Sequence, residues 1–585
     1  MRTRTIWLAF ILFIGGAALA LLLDLRFQGL VWRFLYYQTG EEGVISQLRG
    51  AVELPGNLIR PPLHTAPFHP IQHASEIPYG MNVFLQKEVE EDKIRAMLTM
   101  IRDAGFVWLR QEFPWEDLEI DGRGQFTDSR NDLTGDGIPD TIDAWLKYDR
   151  IVDLVEEYGM RLMVRLSNPP AWAHANNPDI GTFAPPDDFD DFVNYAVAVA
   201  QRYKGRIHHY QVWNEPNIYP EWGEQFADPA AYTDLLCRTY RALKAVDPEI
   251  VVISAAIAPT ISLDGFMGYQ DVAYLQAMYN AGAAGCFDVL AAQGYGLFSG
   301  AYDRRQRVTT VTAARHVFYR DLMVANGDAH KPIWISEAAW NAVLDAPLPP
   351  EQIIQYDRFG LSTQEQAARY TPELYQRAQQ EWPWVGVVFY WFFTRPDPSE
   401  ITQSFYYFRM AEPDYSPERP TFTPLPVYES MRAFITQQQP TLYAGQHQAE
   451  AWQAQHDGQI VPAAGAQFDT AVSAQRYEVT AYGSRVRIRL RDWPAGAALR
   501  VNGAAVDVPA AAGWQTVTAA DGVFPQAHQI VIESAAPVTI DALTVEDRLW
   551  HLLGVPLLLL TAGAGGLGGL LIAAIRERRQ PRRPL

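Results

Sequence analysis

Residues 94–110 read Ile-Arg-Ala-Met-Leu-Thr-Met-Ile-Arg-Asp-Ala-Gly-Phe-Val-Trp-Leu-Arg, and two periods meet in them. Ile94, Met97, Leu98 and Ile101 fall at i, i+3, i+4 and i+7, one face of a helix. Ala104-Gly105-Phe106 then ends that helix, and Phe106–Arg110 is a short apolar run of strand type. The same punctuation recurs at Tyr158-Gly159-Met160. Working outward, eight apolar runs alternate with helical stretches: Gly80–Leu85, Phe106–Arg110, Leu162–Leu166, Ile207–Trp213, Val251–Ile257, Phe287–Ala292, Pro332–Ser336 and Val385–Trp391. Eight strand–helix units over residues 76–440 predict an α/β fold, a (β/α)8 TIM barrel, with a doubly wound sheet as the alternative.

Beyond Thr441 the helical period stops. Arg476–Ala481, Arg485–Leu490, Ala498–Val501, Trp514–Thr518, Gln529–Ile532 and Val538–Val545 alternate in character and are separated by turns such as Val501-Asn502-Gly503. They predict a small antiparallel β-sandwich over residues 441–546. Residues 26–75 show no clear period and hold Pro55, Pro61, Pro62, Pro67 and Pro70. They read as a linker, with Trp32, Phe34, Tyr36 and Tyr37 available to lie on a membrane surface.

Both ends are apolar. Ile6–Leu23 is long enough to cross a bilayer and is flanked by Arg2, Arg4 and Asp24. Residues 1–25 are read as an N-terminal transmembrane anchor. A cleaved signal peptide is the competing reading, since Ala18-Leu19-Ala20 resembles a cleavage site. Leu549–Ile575 is a second span, with Gly565 and Gly569 at small-xxx-small spacing. It ends in the basic tail 576–585, with Arg576, Arg578, Arg579, Arg582 and Arg583. The positive-inside rule puts both ends in the cytoplasm and everything between them outside. The expected location is therefore the cell membrane, two-pass, with an extracytoplasmic catalytic domain.

The 585 residues carry 48 Lys+Arg against 67 Asp+Glu, a net −19. Eight of the arginines and two of the acids sit in the ends, so the part between holds 40 bases and 65 acids, a net −25. Nucleic acid is not an expected partner, because a phosphate ligand wants a basic footprint. Cys237 and Cys286 are the only cysteines. They exclude a disulfide scaffold, a four-cysteine zinc site and an iron–sulfur cluster, and they could bridge, which sequence does not decide. No Walker loop, dinucleotide fingerprint, zinc-protease His pair or Gly-x-Ser-x-Gly elbow occurs, and no cofactor is required.

In a barrel the chemistry sits at the C-terminal ends of the strands. The fourth run ends Tyr210-Gln211-Val212-Trp213-Asn214-Glu215-Pro216-Asn217 and the seventh ends Ile333-Trp334-Ile335-Ser336-Glu337. A strand-end Glu alone is ordinarily a capping or solvated acid; two, on the fourth and seventh of eight runs, form a pair. The Trp-Asn-Glu-Pro-Asn run with the later Ile-Ser-Glu resembles clan A of the retaining glycoside hydrolases, most of all family 39 and related membrane-anchored polysaccharide hydrolases, over roughly residues 75–440.

That resemblance implies a two-carboxylate double displacement, in which the carboxyls lie about 5–5.5 Å apart. It makes Glu215 the acid/base and Glu337 the nucleophile. Arg110 matches an arginine that would hold Glu337 ionised, Asn214 one that hydrogen-bonds the sugar 2-hydroxyl, Tyr295 a donor to the nucleophile, and Trp391 the aromatic floor under the sugar. Their plainer readings are a barrel-core ion pair for Arg110, a wall residue for Tyr295 and packing for Trp391. Gln293-Gly294-Tyr295 departs from the His often found at the sixth strand end. Asn168 and Trp172, with Trp222 and Trp340, are candidate subsite residues or plain packing.

Asp132, Thr134, Asp136, Gly137, Asp140 and Asp143 occupy positions 1, 3, 5, 6, 9 and 12 of an EF-hand-like loop, a candidate structural calcium site. Asp at position 12, Pro139 and the want of an entering helix favour an acidic surface turn instead. The expectation is a membrane-anchored retaining glycosidase acting on an extracytoplasmic polysaccharide or oligosaccharide. Its alternatives are a non-catalytic carbohydrate-binding or polysaccharide-assembly protein on a degenerate barrel, and a transglycosylase. Carbohydrate and the lipid bilayer are the expected partners; the sequence leaves the oligomeric state open.

Overall fold

Gly105 takes φ +90° and Gly159 φ +68°, left-handed conformations that L side chains resist, and each stops a helix. Behind Gly105 the helix Glu91–Asp103 buries Ile94, Met97, Leu98 and Ile101, the face read from the sequence. This unit recurs around the protein. The computed structural model describes residues 2–547 apart from 133, 182, 266, 417 and 418. The apolar span 549–575, with Gly565 and Gly569, and the tail 576–585 lie outside the described residues.

The barrel strands are β1 (Tyr79–Val83), β2 (Trp108–Pro114), β3 (Arg161–Ser167), β4 (His209–Val212), β5 (Val251–Ile253), β6 (Leu290–Gln293), β7 (Ile333–Ala338) and β8 (Val385–Tyr390). All their pairings are parallel, in the order β5-β4-β3-β2-β1-β8-β7-β6. Two isolated parallel bridges, Ile253 to Val289 and Ile257 to Ala292, close β5 onto β6. The ring is thus a barrel and not an open doubly wound sheet. Its interior is filled by Trp108, Met163, Ile253, Trp334, Val387 and Phe389. Gly80 makes room there, since a Cβ at that position would come within 2.4 Å of the Phe389 ring.

The two cysteines form a disulfide, Cys237–Cys286, with Cα atoms 4.7 Å apart. It joins the helix Pro229–Val246, which follows β4, to the segment leading into β6.

The C-terminal module is antiparallel, as expected, but less divided. The two runs at 476–490 are one bent strand, Thr470–Arg491, and the last three runs are one continuous strand, Trp514–Glu546. Beyond Arg485 the first of these pairs on both sides, with residues 514–521 and with 539–546, so the sheet wraps around its own core of Val472, Val479, Ile488, Ile530, Ile540 and Leu543. Asn502 (φ +50°) and Gly503 (φ +81°) make the tight turn between Ala498–Val501 and Ala504–Val506, the Asn-Gly geometry of a two-residue hairpin. The module seats on the barrel through Trp452, whose ring meets Tyr79 edge-on at 6.0 Å.

The linker reading of residues 26–75 is corrected. Leu30–Thr39 and Val44–Glu53 are helices, and they dock on the barrel. Tyr36 is buried and donates to Glu373 at 2.5 Å, and Arg305 pairs with Glu41 at 2.7 Å and Glu53 at 3.0 Å. Before them Arg2–Arg26 is helical over 25 residues. Among the described residues no single helix is long and apolar enough to cross a membrane, whereas the bent pair Ile14–Arg26 and Leu30–Thr39, at 62°, passes the same test together.

Candidate active site

Alternate residues of a strand point the same way, so Arg110 and Glu112 on β2 share a face, and Arg165 on β3 stands in register with Glu112. At the C-terminal ends of the strands Glu112 and Arg165 border a cleft of about 1020 Å³, and Arg110 lies buried behind it. The cleft lining holds Asn214, Glu215, Tyr295, Glu337 and Trp391, five of the residues singled out in the sequence. Asn168 lines it too.

Arg110 is the hub. It is buried, and its guanidinium donates to Glu337 Oε1 at 2.7 Å, Asn82 Oδ1 at 2.8 Å, Gln211 Oε1 at 2.7 Å and Asn214 Oδ1 at 2.8 Å. All four acceptors come from strand ends β1, β4 and β7, which places a rigid fork against a carboxylate in a water-poor site. The other oxygen of Glu337 accepts the Tyr295 hydroxyl at 2.6 Å. Burial, followed by the charge of Glu337, pushes the Tyr295 phenol well above its ordinary range, so it stays protonated and donates.

Among the described residues Glu215 forms no ion pair. Gln293 Nε2 donates to its Oε1 at 2.9 Å, and Gln293 is itself held by the Ser336 hydroxyl at 3.1 Å. Burial first, then the charges of Glu337 and Glu221, raise the Glu215 carboxyl well above the usual carboxylate range. The site therefore holds one carboxylate that a guanidinium and a phenol grip, and one whose surroundings favour its protonated form.

The backbone around Glu215 is strained: Trp213 has φ +75° and Glu215 φ +37°, the left-handed region for bulky side chains. It is pinned. The Trp213 N–H donates to the Leu166 carbonyl at 2.9 Å, its indole to the Glu221 carbonyl at 2.7 Å, and the Glu215 N–H to the Ala256 carbonyl at 3.0 Å.

Trp391 stands at the cleft wall with its ring edge-on to Phe84 at 5.6 Å. Trp172 does not line the cleft; its indole donates to the Glu119 carbonyl at 2.7 Å and its ring packs edge-on against Trp115 at 5.4 Å. Trp222 and Trp340 are buried, the first against Trp213 and the second donating to the Ser299 carbonyl at 2.8 Å. Large aromatic rings serve packing first, and these three do.

Four cleft residues carry no motif. Glu112 pairs with Arg165 across neighbouring strands. Glu221 accepts from Asn214 Nδ2 at 3.2 Å, and burial raises its carboxyl to about 7. Glu116 is raised to about 7 by burial and by the charge of Glu112. Only the two-residue period of β2 could have flagged Glu112 beside Arg110.

The 132–143 loop keeps its carboxylates on its own backbone. Asp132 accepts from the N–H groups of Gly135 at 2.6 Å, Asp136 at 3.2 Å and Gly137 at 2.7 Å. Asp136 accepts from Ile138, Asp140 from Thr134 and Asp143 from Trp145. Among the described residues no group of three or more His, Cys, Asp or Glu side chains is placed to hold a metal ion.

The strain and burial at Glu215 carry a stability cost with a defined sign. Its folded-state pKa lies above the ordinary 4.5. Above pH 4.5 the unfolded chain sheds that proton and the folded one keeps it, so stability falls as pH rises through this window. Glu215→Gln removes this slope. The variant is expected to melt about 1–4 °C higher than the parent at pH 7, the shift that about 1 kcal/mol gives a chain of a few hundred residues, and to match it at pH 4. Equal midpoints at both pH values would contradict the raised carboxyl.

No protein-family model matches this chain, and no curated protein does. Solved structures do resemble it. A family 39 glycoside hydrolase from the gut symbiont Bacteroides cellulosilyticus is 16% identical, the match covering 79% of this chain and 82% of that one, with a TM-score of 0.44. A GH39 β-xylosidase from Caulobacter crescentus is 16% identical over 82% of this chain and 98% of its own, at a TM-score of 0.40. A β-glucosidase from Thermotoga maritima, in complex with deoxynojirimycin, is 12% identical over 61% and 97%, at 0.41.

Proposed function

We propose that this chain is a membrane-anchored glycoside hydrolase that cleaves O-glycosidic bonds of an extracytoplasmic polysaccharide or oligosaccharide with retention of configuration. One observation carries the reading: two glutamates line one cleft in opposite settings, Glu337 gripped by Arg110 and Tyr295, and Glu215 with its carboxyl raised by burial and by the charge of Glu337. Glu215 gives its proton to the departing oxygen while Glu337 attacks the anomeric carbon. Glu215, now a carboxylate, then takes a proton from the water that releases the sugar. Asn214, tied to Arg110 and Glu221, is placed to meet a hydroxyl beside the reacting carbon, and Trp391 offers a ring for the sugar's CH face. A binding protein on a degenerate barrel would need neither the grip on Glu337 nor the raised acid. A transglycosylase shares every residue and differs in the acceptor.

The test is hydrolysis of aryl glycosides and exopolysaccharides by the purified full chain, with the anomer of the first-formed product read by NMR. An inverted product, or no turnover on any glycoside, would overturn the reading.

The extracytoplasmic location is supported by the Cys237–Cys286 disulfide, which belongs to an oxidising compartment, and by the net −25 between the apolar ends. Reporter fusions at residues 300 and 585 are expected to report outside and inside respectively; an outside C-terminus would refute the two-pass topology. The calcium role rests on the spacing of Asp132, Asp136, Asp140 and Asp143 alone. If the ion is bound, chelation lowers the thermal midpoint, and Asp136→Ala abolishes that response. A midpoint indifferent to chelator leaves a self-bonded turn.

A further inference from the structure

The helices Leu30–Thr39 and Val44–Glu53 are amphipathic in an unusual sense: both of their faces are employed or marked. One face meets the barrel. Tyr36 reaches Glu373, the Tyr370 hydroxyl donates to Glu42 at 2.6 Å, and Arg305 takes Glu41 and Glu53. The other face points away and is apolar. Leu30 is 80% exposed, Ile45 78% and Val52 80%, with Phe27, Phe34 and Ile59 also exposed. Their spacing, 30 and 34 on one helix and 45 and 52 on the other, is that of single helical stripes. Exposed apolar surface costs roughly 25 cal/mol per Å², and contiguous patches of it mark contact sites.

The charges sort in the same way. The acids of this segment, Glu41, Glu42 and Glu53, are spent on Arg305, Arg307 and Arg369 of the barrel. Arg26, Arg33 and Arg49 are left exposed beside the apolar stripe, on a chain that is otherwise strongly acidic. Basic residues flanking an outward apolar stripe match anionic headgroups over acyl chains. The patch is also continuous with the N-terminal apolar helix. Arg2–Arg26 turns into Leu30–Thr39 across a 62° elbow, and Asp24 fixes that elbow by accepting the Trp32 N–H at 2.9 Å.

We infer that the Leu30–Glu53 helix pair lies in the headgroup–acyl boundary of the bilayer, with Leu30, Phe34, Ile45 and Val52 in lipid and the opposite face clamped to the barrel. This inference rests on the membrane-anchored reading of the N-terminal helix. It gives the barrel a fixed seat on the membrane instead of a flexible tether.

Both native cysteines are bridged, so single introduced cysteines take a spin label selectively. The full chain carrying Ile45→Cys or Val52→Cys is reconstituted in vesicles of phosphatidylcholine and phosphatidylglycerol. Collision with oxygen and with a water-soluble nickel chelate is measured, with Leu22→Cys and the exposed Leu263→Cys as references. Labels at 45 and 52 are expected to lose nickel collisions and gain oxygen collisions, as at 22, while 263 does the reverse. Nickel access at 45 and 52 equal to that at 263, with 22 protected, overturns the seat but leaves the anchor. Nickel access at 22 overturns both. Protection of 45 and 52 from both reagents, with dipolar broadening between labels, assigns the patch to a second copy of the chain and overturns the lipid seat.

Discussion

Glu337→Ala is expected to be nearly inert on every glycoside, and Glu215→Ala to be inert only on those with poor leaving groups. On the proposed mechanism the difference follows from what each carboxyl would supply. Without Glu337 no covalent sugar–enzyme bond forms, whatever the leaving group. Without Glu215 the departing oxygen lacks a proton, which an activated aryl group does not need. General acid–base assistance is worth roughly 10²–10⁴-fold, so the gap between alkyl and activated aryl substrates should widen by that order in Glu215→Ala alone. Small anions sharpen the contrast. Azide entering the space left by Glu337 gives a glycosyl azide of one anomeric configuration, and azide replacing the water activated by Glu215 gives the other. Equal losses in both variants on all leaving groups, or wild-type rates in either, would refute the assignment.

Arg110→Met is expected to be the most damaging change outside the two carboxylates. It strips the cation from Glu337 and leaves Asn82, Gln211 and Asn214 without their shared donor. Removing one partner of a buried pair costs about 3–5 kcal/mol, and removing a donor that stabilises charge at a reaction centre costs about 10²–10³-fold in kcat. The informative readout is the conservative variant. Arg110→Lys keeps a charge but cannot reach four acceptors in a fork, so it should recover part of the thermal midpoint while kcat stays low. Full kcat in Arg110→Lys would reduce Arg110 to a packing role.

The barrel was legible because its period is local. Ile94, Met97, Leu98 and Ile101 announce a buried helix face, and Gly105 and Gly159 announce its end, before any neighbour is known. Glu215 and Glu337 were legible for the same reason, as strand-end acids in readable runs. Glu112, Glu116 and Glu221 were not, since their meaning comes from residues brought near by the closed ring. The helix pair at 30–53 was not legible because its exposed stripe is apolar while its docked face holds Tyr36, Thr39, Gln47 and Gly50, which reverses the usual amphipathic pattern. The tryptophans were ambiguous for another reason. Trp172, Trp222 and Trp340 read equally as subsite residues or as packing, since a bulky ring in a loop above a barrel has two uses, and only the packed structure separates them.

The seam between β5 and β6 has a further consequence. Elsewhere the ring is joined by runs of paired residues, four in β1–β2, but here by two isolated bridges. The Cys237–Cys286 bond lies across this junction, tying the unit that carries Glu215 to the one that carries Tyr295. Closing a loop of 49 residues is worth about 4 kcal/mol on a chain-entropy view. That strap holds Glu215 on one wall of the cleft and Tyr295, the hydroxyl donor to Glu337, on the other. Oxidation of the two thiols is thus also an act of alignment: the bond that spans the bridge-only seam fixes Glu215 relative to Tyr295, the hydroxyl that donates to Glu337.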